Sequence, residues 1–303
     1  MKNIDLGGRT AADIDGQIAK ILKGLGNPEP PLDLRHVREL LKLDRKYYST
    51  TDDSLLREMR SRLTVMGKQV LLRPTILGDA VRTLNLKAMF FPDEKRIMLD
   101  KDVPILKHRW NEAHEIGHSV IPWHDGMMFG DNEHSLTPVC HERIEAEANY
   151  AAGQLLFMSD RFREQAISSL PSLDFVKALS KDFGNTITST LWRLVEYGHG
   201  GRPMVALVSG HPHPARRKHD FDANDPCRYC VESTDFRARF AYTEKVIFEA
   251  VSDYCSASQG GTIGQEELIL TDRNGDRHRF LFETFFNRHD ALTLGYWLRA
   301  EAG

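Results

Sequence analysis

The sequence predicts an α+β protein in two parts, and three observations carry that expectation. Residues 108–121 and 142–152 read as two helices rich in metal-ligating side chains. In front of them, residues 69–99 change texture to short apolar runs separated by turn residues, the pattern of a small antiparallel sheet. After a Gly-rich break at Gly198, Gly200 and Gly201, strand patterns surround one helix. The expected domains are therefore 1–200 and 201–303.

The stretch that organises the first part runs from His108 to Ile121 and contains His114-Glu115-x-x-His118. On a helix, residues four apart share a face, so both imidazoles can address one point. Two such nitrogens make half of a tetrahedral zinc site, and Glu115 sits beside that point as a proton acceptor. The neighbours Ala113, Ile116, Gly117, Val120 and Ile121 are small or apolar, so the helix is expected to be buried around its polar triad. Burying two His and a Glu calls for a compensating partner, and a cation supplies one.

Two residues compete to be the third ligand. His124 follows His114 by ten positions, but the spot where a turning Gly would be needed holds Ile121. Glu145 lies on the second helix, shares a face with Asn149 and Ala152, and would leave a fourth position open. Glu145 is preferred. Asn149 could then hydrogen-bond a ligating His from behind. Glu142 and Glu147 are expected to be solvated helix charges. The intervening loop, 122–141, carries His124, His134, Cys140 and His141. One of its His, or Tyr150, could stabilise an oxyanion. The Cys140 thiolate could occupy the open zinc position and hold the enzyme off; the preferred alternative is a small buried hydrophobe.

The remaining elements follow in order. Residues 11–24 have apolar residues at helical spacing and end at Gly24 and Gly26. Asn27 to Asp33 is a Pro-rich connector, and Asp33 caps a helix to about Leu43. Arg45 to Ser49 reads as a strand and Asp52 to Leu63 as a helix. Strands are expected at 69–72, 86–91 and 95–99, with a turn at 92–94. An edge of that sheet could hold an extended peptide by strand addition. Helices follow at 159–169, 173–183 and 186–197. In the second part, 204–209, 268–270, 279–284 and 291–298 read as strands, 246–254 as a helix, and Asp272-Arg273-Asn274-Gly275-Asp276 as a hairpin turn.

Composition bounds the function classes. The chain has 303 residues, 41% hydrophobic and 27% charged, as in ordinary globular proteins. A net charge of -3 argues against nucleic-acid binding through overall charge. The absence of a long apolar run and of an apolar leader points to a cytoplasmic protein with no membrane span. Four clustered cysteines fit a reducing compartment. Cys227-x-x-Cys230 with His211 and His213 nearby has the wrong spacing for a zinc finger, so a second, structural zinc is not expected. Ala215-Arg216-Arg217-Lys218-His219 is a short basic cluster that could touch a nucleic-acid phosphate; the preferred reading is a solvated loop.

His-Glu-Ile-Gly-His, followed by Glu-Ala-Glu-Ala-Asn-Tyr-Ala-Ala-Gly-Gln-Leu-Leu-Phe-Met within 145–158, resembles the ImmA/IrrE-type zinc metallopeptidases. The run from Phe183 to Leu194 is similar to that family's next helical motif, and the resemblance spans about residues 12–200. The family's Pro after Leu-Leu-Met is replaced by Phe157-Met158-Ser159, so the following turn should differ. The resemblance implies a zincin-like domain, with His114, His118 and Glu145 as zinc ligands and Glu115 as general base. It implies cleavage of a helix-turn-helix repressor, releasing a stress or phage-defence operon. The two-part layout looks like the CapP-type peptidases of anti-phage systems, with a GAF-like second domain sensing DNA damage or single-stranded DNA. The competing reading is a catalytically idle metal-binding module that sequesters a repressor.

Overall fold

The computed structural model describes residues 6–48, 88–91, 95–102, 105–124 and 138–301. It is a mixed α/β chain that divides into two compact units, one of them Asp5–Ser159 and the other made chiefly of Asp160–Gly303. The helix expected at 52–63, the strand at 69–72 and the turn at 92–94 lie outside the described residues.

In the first unit, α1 (Gly8–Gly24) buries Ile14, Ile18, Ile21 and Leu22 on one face. The Asp33 carboxylate accepts from the Arg35 amide and starts α2 (Leu34–Leu41), which ends at Lys42 in the left-handed region. The chain then enters β1 (Asp44–Tyr48). With β2 (Ala88–Phe91) and β3 (Arg96–Asp100) it forms a sheet in the order β1-β3-β2. The sheet is mixed, which corrects the expectation of an antiparallel one. β2 and β3 pair antiparallel, but β1 runs parallel to β3. A parallel pair requires a long crossover, and β1 and β3 are separated by residues 49–95. No local pattern announces such a pairing.

Behind the sheet stands α3 (Ile105–Val120), packed on α4 (Pro138–Leu156). Glu112, only 4% exposed, accepts from Arg38 Nε at 2.6 Å and from Arg45 Nη1 at 2.8 Å, tying α2 and β1 to the helix that carries His114. Removing one partner of a buried ion pair strands the others. Glu112→Ala should therefore cost about 3–5 kcal/mol in denaturant unfolding. A loss below 1 kcal/mol would show the cluster to be solvated. After α4, Met158 and Ser159 both take left-handed backbone, and the amide of Ser159 donates to the Gln154 carbonyl at 2.9 Å. The turn without Pro is thus closed by the backbone itself.

The second unit begins with α5 (Asp160–Ala166), α6 (Leu173–Phe183) and α7 (Ile187–Arg193). Ser172 and Thr186 cap the last two, and Gly184 ends α6 with φ 64°. A π-helical turn, Leu194–Gly198, leads to β4 (Met204–Ser209). Then come β5 (Cys227–Glu232), α8 (Thr234–Arg239), α9 (Glu244–Tyr254), β6 (Gly261–Thr271), β7 (Arg277–Phe286) and β8 (Ala291–Ala300). The five strands form an antiparallel sheet in the order β5-β4-β8-β7-β6. Asp272 closes the β6–β7 turn by accepting from the amides of Asn274 and Asp276, with Gly275 at φ 92°.

β5 and α8 were not legible in the sequence. In an ordinary strand, Cys227 and Cys230 would face opposite sides. A register shift against β4, where Ser209 pairs with Cys227 and Val208 with Tyr229, turns both inward. They join Cys255, Phe236, Phe248 and Phe280 in the core of this unit. The Cys227-x-x-Cys230 pair therefore lies in a strand with both thiols buried, and burial pushes the Cys227 thiol well above its usual range. The basic loop is anchored: Arg216 Nε donates to the Ala257 carbonyl and Arg217 Nε to the Pro212 carbonyl.

Candidate metal centre

α3 and α4 lie close because Gly117 has no side chain. A Cβ there would sit 2.8 Å from the Ala148 carbonyl oxygen and 3.2 Å from the Ala151 Cβ. The close approach brings Glu145 of α4 over His114 and His118 of α3. Gly117→Ala must push the helices apart, at about 1–3 kcal/mol of stability. The same shift should weaken metal binding measurably. Wild-type zinc affinity in Gly117→Ala would rule out this role for the glycine.

The imidazole Nε2 atoms of His114 and His118 are 3.1 Å apart. Glu145 Oε2 is 3.1 Å from His114 Nε2, and Glu145 Oε1 is 3.6 Å from His118 Nε2. These three side chains could hold a metal ion, each offering one ligand atom. Four atoms placed tetrahedrally about 2.0–2.1 Å from a zinc ion lie roughly 3.3 Å from one another, close to the 3.1 Å between the two Nε2 atoms and between His114 Nε2 and Glu145 Oε2.

Hydrogen bonds behind the rings turn their lone pairs inward. His114 Nδ1 donates to Asn149 Oδ1 at 3.1 Å, leaving Nε2 as the ligand atom. His118 Nδ1 meets His124 Nδ1 at 3.0 Å, and His124 Nε2 donates to Glu147 Oε2 at 3.0 Å. Without a cation, three acceptors converge, and a proton held among them would relieve the repulsion. The shift of His114 expresses this. Burial lowers its pKa, but Glu145, Glu115 and Asn149 together raise it above the usual value. A bound cation would stand in place of that proton, so the donor set fits a metal.

The surrounding carboxylates respond in opposite directions. Burial works against the Glu145 carboxylate, yet the neighbouring His114 and His118 imidazoles hold it far below the usual range in the metal-free cluster. Glu115 is only 5% exposed, and burial, with Glu145 adding to it and His114 opposing, pushes its carboxyl up to about 7. Burial lowers His124 to about 4, against the pull of Glu147, so its ring is neutral.

The other expected site residues are placed as follows. His124 is fully buried behind His118, with its Nδ1 on the His118 Nδ1, and so is not one of the three converging ligands. The Tyr150 hydroxyl donates to Asp15 Oδ1 at 3.0 Å and accepts from Gln154 Nε2 at 2.6 Å, which commits it to joining α4 to α1. Glu147, read as a solvated charge, is only 3% exposed and accepts from Trp123, His124 and Arg143. Its burial was missed because its donors come from the residues before the 125–137 segment as well as from its own helix. The side chains of Cys140 and His141, and all of His134, lie outside the described residues. His211 Nε2 donates to the Ser258 carbonyl and His213 Nδ1 accepts from the Ala215 amide. Among the described residues, His114, His118 and Glu145 form the one group able to hold a metal.

No protein-family profile matches the chain, and no curated protein matches it. Among solved structures, one described as a Mycobacterium tuberculosis transcriptional regulator is similar, with a TM-score of 0.50 at 11% sequence identity. The similarity covers 95% of this chain and 76% of that one. At that identity the likeness concerns fold alone. No helix among the described residues is long and apolar enough to cross a membrane.

Proposed function

We propose that this protein is a zinc-dependent endopeptidase, with His114, His118 and Glu145 holding the metal. The observation that carries the reading is the convergence of two imidazole Nε2 atoms and a carboxylate from two helices, beside a buried Glu115 that is not itself a ligand. A zinc ion held there would supply Lewis-acid activation of water and of a peptide carbonyl. Glu115 takes a proton from the attacking water and returns it to the leaving amine. Asn149 holds His114 in the tautomer that presents Nε2 inward. β2 pairs with β3 and is an outer strand of the described sheet, which supports docking of an extended peptide by strand addition.

The substrate we propose is a helix-turn-helix transcriptional repressor, cut to release a stress or phage-defence operon. The sequence resemblance supports this, and the description of the structural neighbour as a transcriptional regulator is compatible with a regulatory role. In the same reading the first unit is zincin-like. The antiparallel sheet and helices of the second unit would be a GAF-like sensor, responding to DNA damage or single-stranded DNA. The test is to incubate the zinc-loaded chain with the repressor encoded beside it, with and without single-stranded DNA. One discrete cut is expected. Binding without a cut, in a chain that holds zinc, would favour an idle module that sequesters the repressor.

A further inference from the structure

Glu147 stands out once the metal residues are assigned. It is a buried carboxylate two residues before Asn149, on the same helix as Glu145, and it is not among the three residues able to hold the metal. Trp123 Nε1 donates to its Oε2 at 2.6 Å, His124 Nε2 donates to the same oxygen at 3.0 Å, and Arg143 Nε donates to Oε1 at 3.0 Å. The other nitrogen of His124 meets His118 Nδ1 at 3.0 Å. A carboxylate can only accept, so the His124 proton belongs on Nε2. His124 Nδ1 is then an acceptor, and His118 Nδ1 must be the donor. That leaves the lone pair of His118 on Nε2, the atom facing His114 and Glu145. Read from the other end, a metal on His118 Nε2 requires the same protons in the same places. Trp123 Nε1 donates to that same oxygen, and His124 is wholly buried, so the acceptor of His118 Nδ1 lies away from solvent.

Resting on the metal-centre reading above, we propose that Glu147, Trp123 and His124 form a positioning relay that fixes the tautomer and ring orientation of His118. The ligand-bearing face would then have two unlike supports: an amide, Asn149, behind His114, and a carboxylate–histidine pair behind His118. Partners of this kind raise ligand basicity and commonly change metal affinity about 10- to 100-fold. The relay also explains why a carboxylate and an imidazole are kept in a dry position that an apolar pair could fill.

The experiment is zinc affinity by chelator competition, with the cobalt(II) absorption spectrum as a second readout, on the full chain and three variants. His124→Leu removes the acceptor and should weaken zinc binding about 10- to 100-fold and alter the cobalt spectrum. His124→Asn puts an amide oxygen where Nδ1 was and should recover most of the affinity. Glu147→Gln keeps an acceptor but removes the charge and should fall between them. The melting temperature of each metal-free chain separates positioning from simple unfolding. Recovery by Asn without a matching recovery in metal-free stability supports the relay. Affinity losses that merely track metal-free stability, or a His124→Leu chain that binds zinc as tightly as wild type, overturn the relay while leaving the metal centre intact. A wild-type chain that takes up no zinc overturns the metal reading and the relay together.

Discussion

Glu115→Gln is expected to abolish cleavage while leaving zinc in place. The substitution preserves the shape of a side chain that is only 5% exposed, and Glu115 is not among the three converging ligands. What it removes is the ability to take and return a proton, worth about 100- to 10,000-fold in rate for a positioned general base. Turnover of the repressor should fall by that factor, with zinc content near one per chain in both proteins. Measuring metal content and cleavage on the same samples makes the outcome decisive. If Glu115→Gln cuts as fast as wild type, the general base is another group. If function in the cell survives the substitution, sequestration rather than cleavage is what matters.

Zinc removal is the second large effect. The three ligands come from two helices joined by a long segment, so a bound ion ties α3 to α4. Any ligand that binds only the folded state stabilises it by mass action, about 4 kcal/mol at a free concentration 1,000 times its Kd. For a unit the size of Asp5–Ser159, that corresponds to a melting shift of roughly 10 °C. A chelator should lower the transition of wild type by about that much, and added zinc should restore it. In Glu145→Ala only two ligands remain, and the chelator-dependent shift should vanish. A wild-type transition indifferent to chelator and to zinc would mean that the cluster is a histidine–carboxylate hydrogen-bond network and nothing more.

Several features of this chain were readable from local pattern alone, because they depend on residues within a few positions of one another. The helical repeat puts His114 and His118 on one face and Glu145 with Asn149 on another. Asp33 caps α2, and Gly275 marks the β6–β7 turn, because capping and left-handed backbone are local chemistry. The continuous apolar run of β4 likewise announces a buried strand. The mixed α/β character follows from these elements together.

What the tertiary structure decided is what each face meets. Nothing near Glu147 says that Trp123 and His124 will enclose it, so a buried acceptor reads as a surface charge. Tyr150 looks available for catalysis until Asp15, 135 positions earlier, takes its hydroxyl. Cys227 and Cys230 share a side only because a register shift in β5 breaks the two-residue alternation. β1 joins β3 in parallel although the two are some fifty positions apart, so no short-range pattern announces the pairing. Gly117, one residue among ordinary helix positions, sets how closely the two ligand helices approach. In each case the physical reason is the same. Periodicity in a sequence specifies a direction, whereas burial, pairing and proton placement depend on atoms brought there from distant parts of the chain.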